Sequence, residues 1–359
     1  MESTHWRSES NEPAPTKVSP VDDRLTADTA LRRVRRGESL LYTGDFHNAK
    51  QLVGAMARRL PPPASARTPL DAFRAERRAR QLEHETLSRI LVALDRDYRL
   101  ALKRAPDVAE ACRQVWGEPE AEQTLVSLKT LTGMLSAAEW RRKGLDVPGL
   151  TGKLHPHYGV YLPTRTDYVE LLLSVSDVKG QQVFDVGTGT GVLSFLLLQR
   201  GAAAAMATDC DARAVACARE NAERLGLAKR FQVLETDLFP PGKADLIVSN
   251  PPWIPEPPKN RVDRAVFDED NRFLLGFLDG LAAHLNPGGQ GLLVLSDLAV
   301  LLGLRAPDWL EAQFAQRGLA VKWKRSAPAR HGKAKDKSDP LHAARSKEIT
   351  SLYALVPVA

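Results

Sequence analysis

Two segments of the chain carry residue types and spacings that suit ligand binding and chemistry. Gly187, Gly189 and Gly191 alternate with threonines directly after an apolar run that ends at Asp185-Val186. About sixty residues later the chain reads Asn250-Pro251-Pro252-Trp253. Alternating glycines allow a tight turn and leave no Cβ between the main chain and a bound ligand. The two segments together predict a nucleoside-cofactor site with a place beside it for a planar amino group.

The tetrapeptide has the groups that chemistry at an amide or ring-amine nitrogen needs. Such a nitrogen is a poor nucleophile because its lone pair is delocalised, so the site must hold it in line with the reacting group. The Asn250 side-chain oxygen and the Pro251 carbonyl can accept from the NH2 group and stabilise developing positive charge. Pro251 and Pro252 keep the loop rigid, and Trp253 offers a flat surface for stacking. The alternative is a turn that ends a strand, with Trp253 as a core anchor.

The elements that position these groups read as strands of a doubly wound sheet. A second strand over 203–208 precedes Asp209, and a third ends at 233–234, shortly before Asp237. A fourth strand over 244–249 runs directly into Asn250. Open α/β sheets bind ligands at the carboxyl ends of their strands, where all these residues fall. Asp209, about twenty residues beyond the glycines, is placed to accept hydrogen bonds from ribose hydroxyls.

The spacing excludes two kinds of nucleotide site. No Gly-Lys-Ser/Thr follows the turn, so a triphosphate cradle is not expected, and the Gly-x-Gly-x-Gly form differs from the dinucleotide pattern. With Asp185, Asp209, Asp237 and the Asn250–Trp253 tetrapeptide, the chain resembles the class I S-adenosylmethionine-dependent methyltransferases over residues 150–359. Within them it resembles release-factor glutamine methyltransferases and amino-group methyltransferases of RNA and DNA bases.

The resemblance implies S-adenosylmethionine as cofactor and a role for each matching residue. The glycine turn would hold the methionine part, Asp209 the ribose, and Asp237 with Leu238 the adenine edge. The full set of cofactor contacts implied is Asp185, Gly187, Thr188, Gly189, Gly191, Asp209, Asp237, Leu238 and Asn250. Methyl transfer to an amide or amino nitrogen follows, with a glutamine side chain of a translation protein as the expected acceptor. The alternatives are the amino group of an RNA adenine or guanine, and a cofactor-binding module without catalysis.

Two further residues are candidate substrate contacts. Arg165 lies in the segment 163–168, which resembles the Pro-Arg-x-x-Thr-Glu sequence of glutamine methyltransferases. The segment departs from it because Thr164 separates proline from arginine and the Thr-Glu pair is missing. Asp268 belongs to an acidic turn before an apolar stretch, which suits either a helix start or a substrate lid.

The predicted fold class is α/β, with a Rossmann-like seven-stranded methyltransferase sheet and an α-helical N-terminal domain. The predicted boundaries are a disordered tail over 1–24, the helical domain over 25–150 and the methyltransferase domain over 151–359. The helical domain is supported by apolar residues at helical spacing, which are Leu87, Ile90, Leu91, Leu94 and Tyr98. The last two strands, 319–325 and 349–356, should form an antiparallel pair at the sheet edge.

Length and composition agree with a two-part cytoplasmic protein, and we expect a monomeric enzyme that binds no metal and no membrane. The 359 residues are 43% hydrophobic, and 50 Lys and Arg against 44 Asp and Glu give a net charge of +6. The three cysteines form no ligand cluster or disulfide pattern, and no apolar run is long enough to span a membrane. Part of the excess of basic residues lies in the segment 326–346. This segment is either a contact for RNA or the ribosome or a solvated loop.

Overall fold

The computed structural model describes residues 4–259 and 262–358. The chain divides into two compact units, residues 1–67 with 71–139 and residues 68–70 with 140–359. The division near residue 140 lies about ten residues before the predicted boundary. Within the described ranges, no helix combines the length and apolar character needed to cross a membrane.

The first unit is built around a five-stranded sheet in the order β1-β5-β4-β3-β2. Its strands are β1 (Thr4–Arg7), β2 (Val18–Val21), β3 (Ser39–Tyr42), β4 (Ile90–Asp95) and β5 (Gln123–Ser127). The helices along this part of the chain are α1 (Ala27–Val34), α2 (Phe46–Ala57), α3 (Pro69–Leu87), α4 (Ala109–Trp116) and α5 (Leu128–Lys143). Strands β4 and β5 are antiparallel, and the other pairs are parallel.

The prediction of an α-helical N-terminal domain was wrong, because the helices of this unit accompany a five-stranded sheet. Helix α3 ends at Leu87, and Ile90–Asp95 forms the central strand β4, with both faces of Ile90–Val92 buried. A short apolar run that is buried on both faces has no alternation to separate it from a buried helix. Helix α3 does begin at Pro69, as its N-terminal signals indicate.

The prediction of a disordered tail over 1–24 was also wrong for the two strands that the structure places there. Strand β1 pairs in parallel with β5, and β2 pairs in parallel with β3, so this segment supplies both edges of the sheet. Main-chain hydrogen bonds to a neighbouring strand need few large apolar side chains, and composition therefore did not reveal them. Pro20 in β2 is compatible with an edge strand, where one side of the backbone needs no partner strand.

The second unit contains a seven-stranded sheet in the order β10-β9-β8-β11-β12-β14-β13. A small hairpin precedes it, β6 (Leu145–Asp146) with β7 (Lys153–Leu154). The sheet strands are β8 (Gln182–Val186), β9 (Ala204–Asp209), β10 (Phe231–Glu235), β11 (Ala244–Ser249), β12 (Leu285–Ser296), β13 (Leu319–Pro328) and β14 (Ile349–Pro357). The first five in spatial order are parallel, and β14 is antiparallel to both of its neighbours. The seven-stranded sheet and its antiparallel edge pair are confirmed.

Helices cover both faces of this sheet. They are α6 (Asp167–Leu173), α7 (Val192–Gln199), α8 (Ala212–Arg224), α9 (Arg272–His284), α10 (Leu298–Leu301), α11 (Trp309–Gln316), α12 (Gly332–Lys335) and α13 (His342–Arg345), with 3-10 turns at Ala228–Arg230, Val262–Ala265 and Glu269–Asn271. One apolar cluster is buried under α6, α7 and α8, and a second under α9 and α11. The strand order reverses beside β8, and ligands bind at such switch points in open α/β sheets.

Candidate functional site

The glycine turn joins β8 to α7 in a conformation that favours glycine at three positions. Gly187, Gly189 and Gly191 have φ angles of 74°, 55° and 88°. A Cβ at Gly187 would overlap the ring of Phe273, and one at Gly191 would overlap the ring of Phe195. Gly189 has open space where its Cβ would be. The turn is therefore packed at both ends and presents bare backbone at its centre.

Asp185 supports the turn from beneath. The carboxylate is fully buried and accepts hydrogen bonds from the hydroxyls of Thr188 and Ser194, both at 2.7 Å, and from the Ser194 main-chain N–H at 3.2 Å. Burial raises the pKa of Asp185 to about 6. These bonds fix the turn against the first residues of α7. The side chain is not among those that line the cavity above the turn.

Asp209 ends β9 and faces the same turn. Its Oδ2 accepts from the Gly189 N–H at 3.0 Å, and its Oδ1 accepts from the Asp211 N–H at 3.0 Å. Burial raises the pKa of this carboxyl group as well. Each carboxylate oxygen has accepting capacity beyond one backbone bond, which suits vicinal hydroxyls of a ribose.

The loop after β10 brings Asp237 and Leu238 to the other side of the turn. Leu238 has a positive φ of 63°, and its carbonyl accepts from the buried Thr208 hydroxyl. Asp237 is half-exposed and forms an ion pair with Arg272 at the start of α9. Sequence reasoning missed Arg272, since nothing in its surroundings marks an ion pair across 35 positions.

The Asn250–Trp253 tetrapeptide follows β11, the strand beside β8. Val186 and Ser249 are register partners, and the Ser249 hydroxyl donates to the Val186 carbonyl at 2.8 Å. The Asn250 Oδ1 accepts from the indole N–H of Trp253 at 2.9 Å. Trp253 is half-buried and packs against both apolar clusters.

Arg165 reaches the site, but its partners differ from those of a substrate contact. Its guanidinium donates to Asp167 at 2.5 and 3.1 Å, to Glu348 at 2.8 Å and to the Thr350 hydroxyl at 2.9 Å. It also lies 4.6 Å from the centroid of the Trp253 ring. With two carboxylates against it, this guanidinium is largely committed within the protein.

Asp268, the second candidate substrate contact, serves the helix start. The buried carboxylate accepts from the main-chain N–H groups of Phe273 at 2.8 Å and Leu274 at 3.0 Å. Burial raises the pKa of Asp268. Of the two interpretations drawn from the sequence, the geometry favours a cap on α9, because the side chain does not line the cavity.

One cavity of about 310 Å³ collects most of the predicted residues. Those that line it are Arg165, Gly187, Thr188, Gly189, Asp209, Asp237, Leu238, Asn250, Pro251, Pro252 and Trp253, whereas Asp185, Gly191 and Asp268 do not. Lining residues that sequence reasoning missed include Tyr161, Tyr168, Arg264, Val266, Phe273 and Leu298. Tyr168 ends the 163–168 segment and Tyr161 lies two residues before it, so both could have been found there. The others come from loops and helix starts without any sequence signal.

The described residues fit S-adenosylmethionine. Bare backbone at Gly189 lies beside the Asp209 carboxylate in the wall of the cavity, and apolar side chains such as Leu193 and Phe273 line it as well. The Tyr168 hydroxyl is buried and, among the described residues, has no hydrogen-bond partner. A volume of about 310 Å³ lies at the lower end of the range for small-molecule sites.

The proteins that this chain is similar to are methyltransferases. Residues 166–251 match the family model of ribosomal protein L11 methyltransferase. A putative protein N5-glutamine methyltransferase of Methanocaldococcus jannaschii is 34% identical over 162 residues, which cover 43% of this chain and 80% of that protein. A release factor glutamine methyltransferase of Cereibacter sphaeroides is 40% identical over 125 residues, 31% of this chain and 45% of that protein.

A third relative is named for an RNA acceptor. The tRNA1(Val) (adenine(37)-N6)-methyltransferase of Parabacteroides distasonis is 43% identical over 93 residues, 24% of this chain and 39% of that protein. The chain thus spans four fifths of the first relative and less than half of the other two.

Proposed function

Because the chain belongs to the class I S-adenosylmethionine-dependent methyltransferases, we propose that it methylates the side-chain amide nitrogen of glutamine in a protein of the translation machinery. The observation that carries this proposal is the position of the Asn250–Trp253 loop. Asn250 and Pro251 line the same cavity as Gly187 and Asp209, at the ends of neighbouring parallel strands. A cofactor held by the turn and an acceptor held by the loop would therefore meet in one cavity.

The cofactor supplies a methyl group made electrophilic by the attached sulfonium. The chain contributes orientation and charge stabilisation. The Asn250 oxygen and the Pro251 carbonyl accept from the NH2 group, which holds its lone pair toward the methyl carbon and stabilises positive charge on nitrogen during transfer. The nitrogen becomes acidic once it is methylated, so its proton can pass to solvent without a strong base.

Glutamine is favoured as acceptor by two lines of support. Two of the relatives reported above are named glutamine methyltransferases, and one of them is matched over 80% of its length. Besides Arg264 and the ion-paired Arg165, the cavity walls near the loop carry apolar side chains, with Ile254, Val266 and Leu298 among them. An uncharged primary amide requires no counter-ion in such surroundings. A cytoplasmic location is part of this proposal.

The amino group of an RNA base is the second candidate. One relative is named for adenine N6 methylation of tRNA, and exposed cations such as Lys335 and Lys337 lie between β13 and β14. The same loop chemistry serves an exocyclic amine, because that nitrogen also has a delocalised lone pair.

Transfer of labelled methyl groups tests both candidates. The full chain is incubated with methyl-labelled S-adenosylmethionine and with protein and RNA fractions from cells that lack the gene, and an Asn250→Ala variant is the control. We expect the label to be released by protease and not by nuclease. After complete digestion of the protein, it should be recovered as N5-methylglutamine. Label in nuclease-sensitive material would show that the acceptor is an RNA base and not glutamine. The absence of label from both fractions would refute both candidates.

A further inference from the structure

The largely buried Arg165 contacts both the start of β14 and the Asn250–Trp253 loop. We propose that Arg165 is a positioning residue for methyl transfer: it holds the Trp253 indole in place, and the indole in turn sets the orientation of the Asn250 carboxamide. This inference rests on the function proposed for the Asn250–Trp253 loop. It replaces the expectation that Arg165 contacts the substrate.

The first link is the stack of Arg165 on Trp253. The guanidinium carbon lies 4.6 Å from the ring centroid, and the arginine side chain is only 14% exposed. A guanidinium over an indole face is an attractive arrangement, and its strength grows as water is excluded. The stack covers one face of Trp253, so at most the opposite face remains for an acceptor.

The second link immobilises the guanidinium. Nε and Nη2 donate to the two oxygens of Asp167, and Nη1 donates to Glu348, whose carboxylate is fully buried. Glu348 also accepts from the Ser296 hydroxyl at 2.7 Å, and its other oxygen lies 3.0 Å from His331 Nε2. Paired and buried in this way, the guanidinium cannot leave Trp253 without breaking several charge-assisted hydrogen bonds.

The third link is the hydrogen bond from Trp253 Nε1 to Asn250 Oδ1, 2.9 Å long. An indole N–H can only donate, so it holds the oxygen end of the carboxamide and disfavours the flipped amide. The flipped amide would turn an NH2 group toward the NH2 group of the acceptor. A fixed indole therefore keeps the Asn250 oxygen, with its remaining accepting capacity, available to the acceptor nitrogen.

An acceptor-independent measurement tests the structural part of this inference. Lysine at position 165 keeps a positive charge but lacks the planar fork and stacks poorly. We compare the 15N-labelled indole N–H signals of the wild-type chain and Arg165→Lys, with the Trp253 signal assigned from Trp253→Phe. The expected result is a shifted or broadened Trp253 signal in Arg165→Lys and also in Asn250→Ala. An unchanged Trp253 signal in Arg165→Lys overturns the inference, whatever the acceptor proves to be.

Turnover tests the functional part, with the acceptor fraction found by labelling as substrate. We expect Arg165→Lys and Trp253→Phe each to lower kcat about tenfold while the dissociation constant for S-adenosylmethionine stays within twofold. The double variant should lose about as much as either single variant, because both act through one path. Independent losses that multiply to about a hundredfold would contradict the proposed path, as would wild-type kcat in Arg165→Lys.

A matched control separates this effect from the general loss of an arginine stack. Arg325 lies 4.8 Å from the ring centroid of Trp323 at the surface, outside the cavity. Arg325→Lys should leave kcat within twofold of wild type. If Arg165→Lys does not fold, Thr350→Val serves instead: it removes one hydrogen bond from the same guanidinium and one from its partner Asp167 without changing a charge. The same shift of the Trp253 signal and loss of kcat are expected from it on a smaller scale. If Thr350→Val then changed neither the Trp253 indole N–H signal nor kcat, the inference would be overturned.

Discussion

Val186 and Ser249 are register partners at the ends of β8 and β11, and the Ser249 hydroxyl donates to the Val186 carbonyl at 2.8 Å. The residue that follows each strand is a functional candidate, Gly187 after β8 and Asn250 after β11. Parallel strands at this switch point thus bring together two segments that lie 63 positions apart.

Removal of the Asp209 carboxylate should weaken cofactor binding. A charged group that accepts from ribose hydroxyls contributes about 1.5 to 3 kcal/mol, so Asp209→Ala should raise the dissociation constant for S-adenosylmethionine roughly ten- to a hundredfold. Calorimetric titration measures this. Asp279→Ala, at an exposed ion pair with Arg317, is the control and should bind normally. Unchanged affinity in Asp209→Ala would remove this residue from the binding site.

Asn250→Ala should separate binding from chemistry. The variant loses an acceptor that acts on the nitrogen during transfer, so we expect kcat to fall roughly a hundredfold or more while S-adenosylmethionine still binds. Single-turnover transfer and calorimetry on the same preparation give both quantities. Near-normal turnover would refute the role of the side-chain oxygen, and loss of cofactor affinity alone would assign Asn250 to the cofactor.

Burial of Asp185 should make stability depend on pH in an unusual direction. The pKa of this carboxyl group is raised to about 6, so the contribution of Asp185 to folding stability is present below the unfolded value near 3.8 and is lost as pH rises through about 6. Asn at this position does not titrate. Between pH 4 and pH 7, the wild-type chain should therefore lose about 2 to 3 kcal/mol relative to Asp185→Asn.

Urea unfolding of wild type and Asp185→Asn at both pH values measures that difference. Asp95→Asn, an exposed carboxylate in the first unit, is a control for the general effect of removing a charge. A difference between wild type and Asp185→Asn that does not change with pH would show that Asp185 is ionised normally in the folded chain.

The basic segment 326–346 distinguishes the two acceptor classes. Each cation that neutralises an RNA phosphate contributes about 0.7 to 0.9 to the slope of log affinity against log salt. For an RNA acceptor, replacing Lys333, Lys335 and Lys337 with Gln should reduce that slope by up to about two to three units and lower transfer to RNA. For a glutamine acceptor, the same replacements should leave transfer within a few-fold of wild type. Binding to purified RNA over a salt series measures the slope.

The sequence by itself determined the catalytic unit because its signals are local. A strand, a glycine turn and a helix start are consecutive in the chain. Asp209 ends one strand and Asn250 follows another, and the apolar run of each strand is visible in the sequence. Parallel strands then bring these ends to one edge, as predicted. Only the tertiary structure showed the partners of Arg165 and Asp268. Arg165 pairs with Glu348, 183 positions away, and Asp268 accepts from main-chain N–H groups at a helix start. The sheet of the first unit could not be predicted for a related reason. Its edge strands are held by backbone hydrogen bonds, which leave no pattern in the side chains. Its central strand is buried on both faces and therefore lacks the alternation of apolar and polar residues that marks a strand.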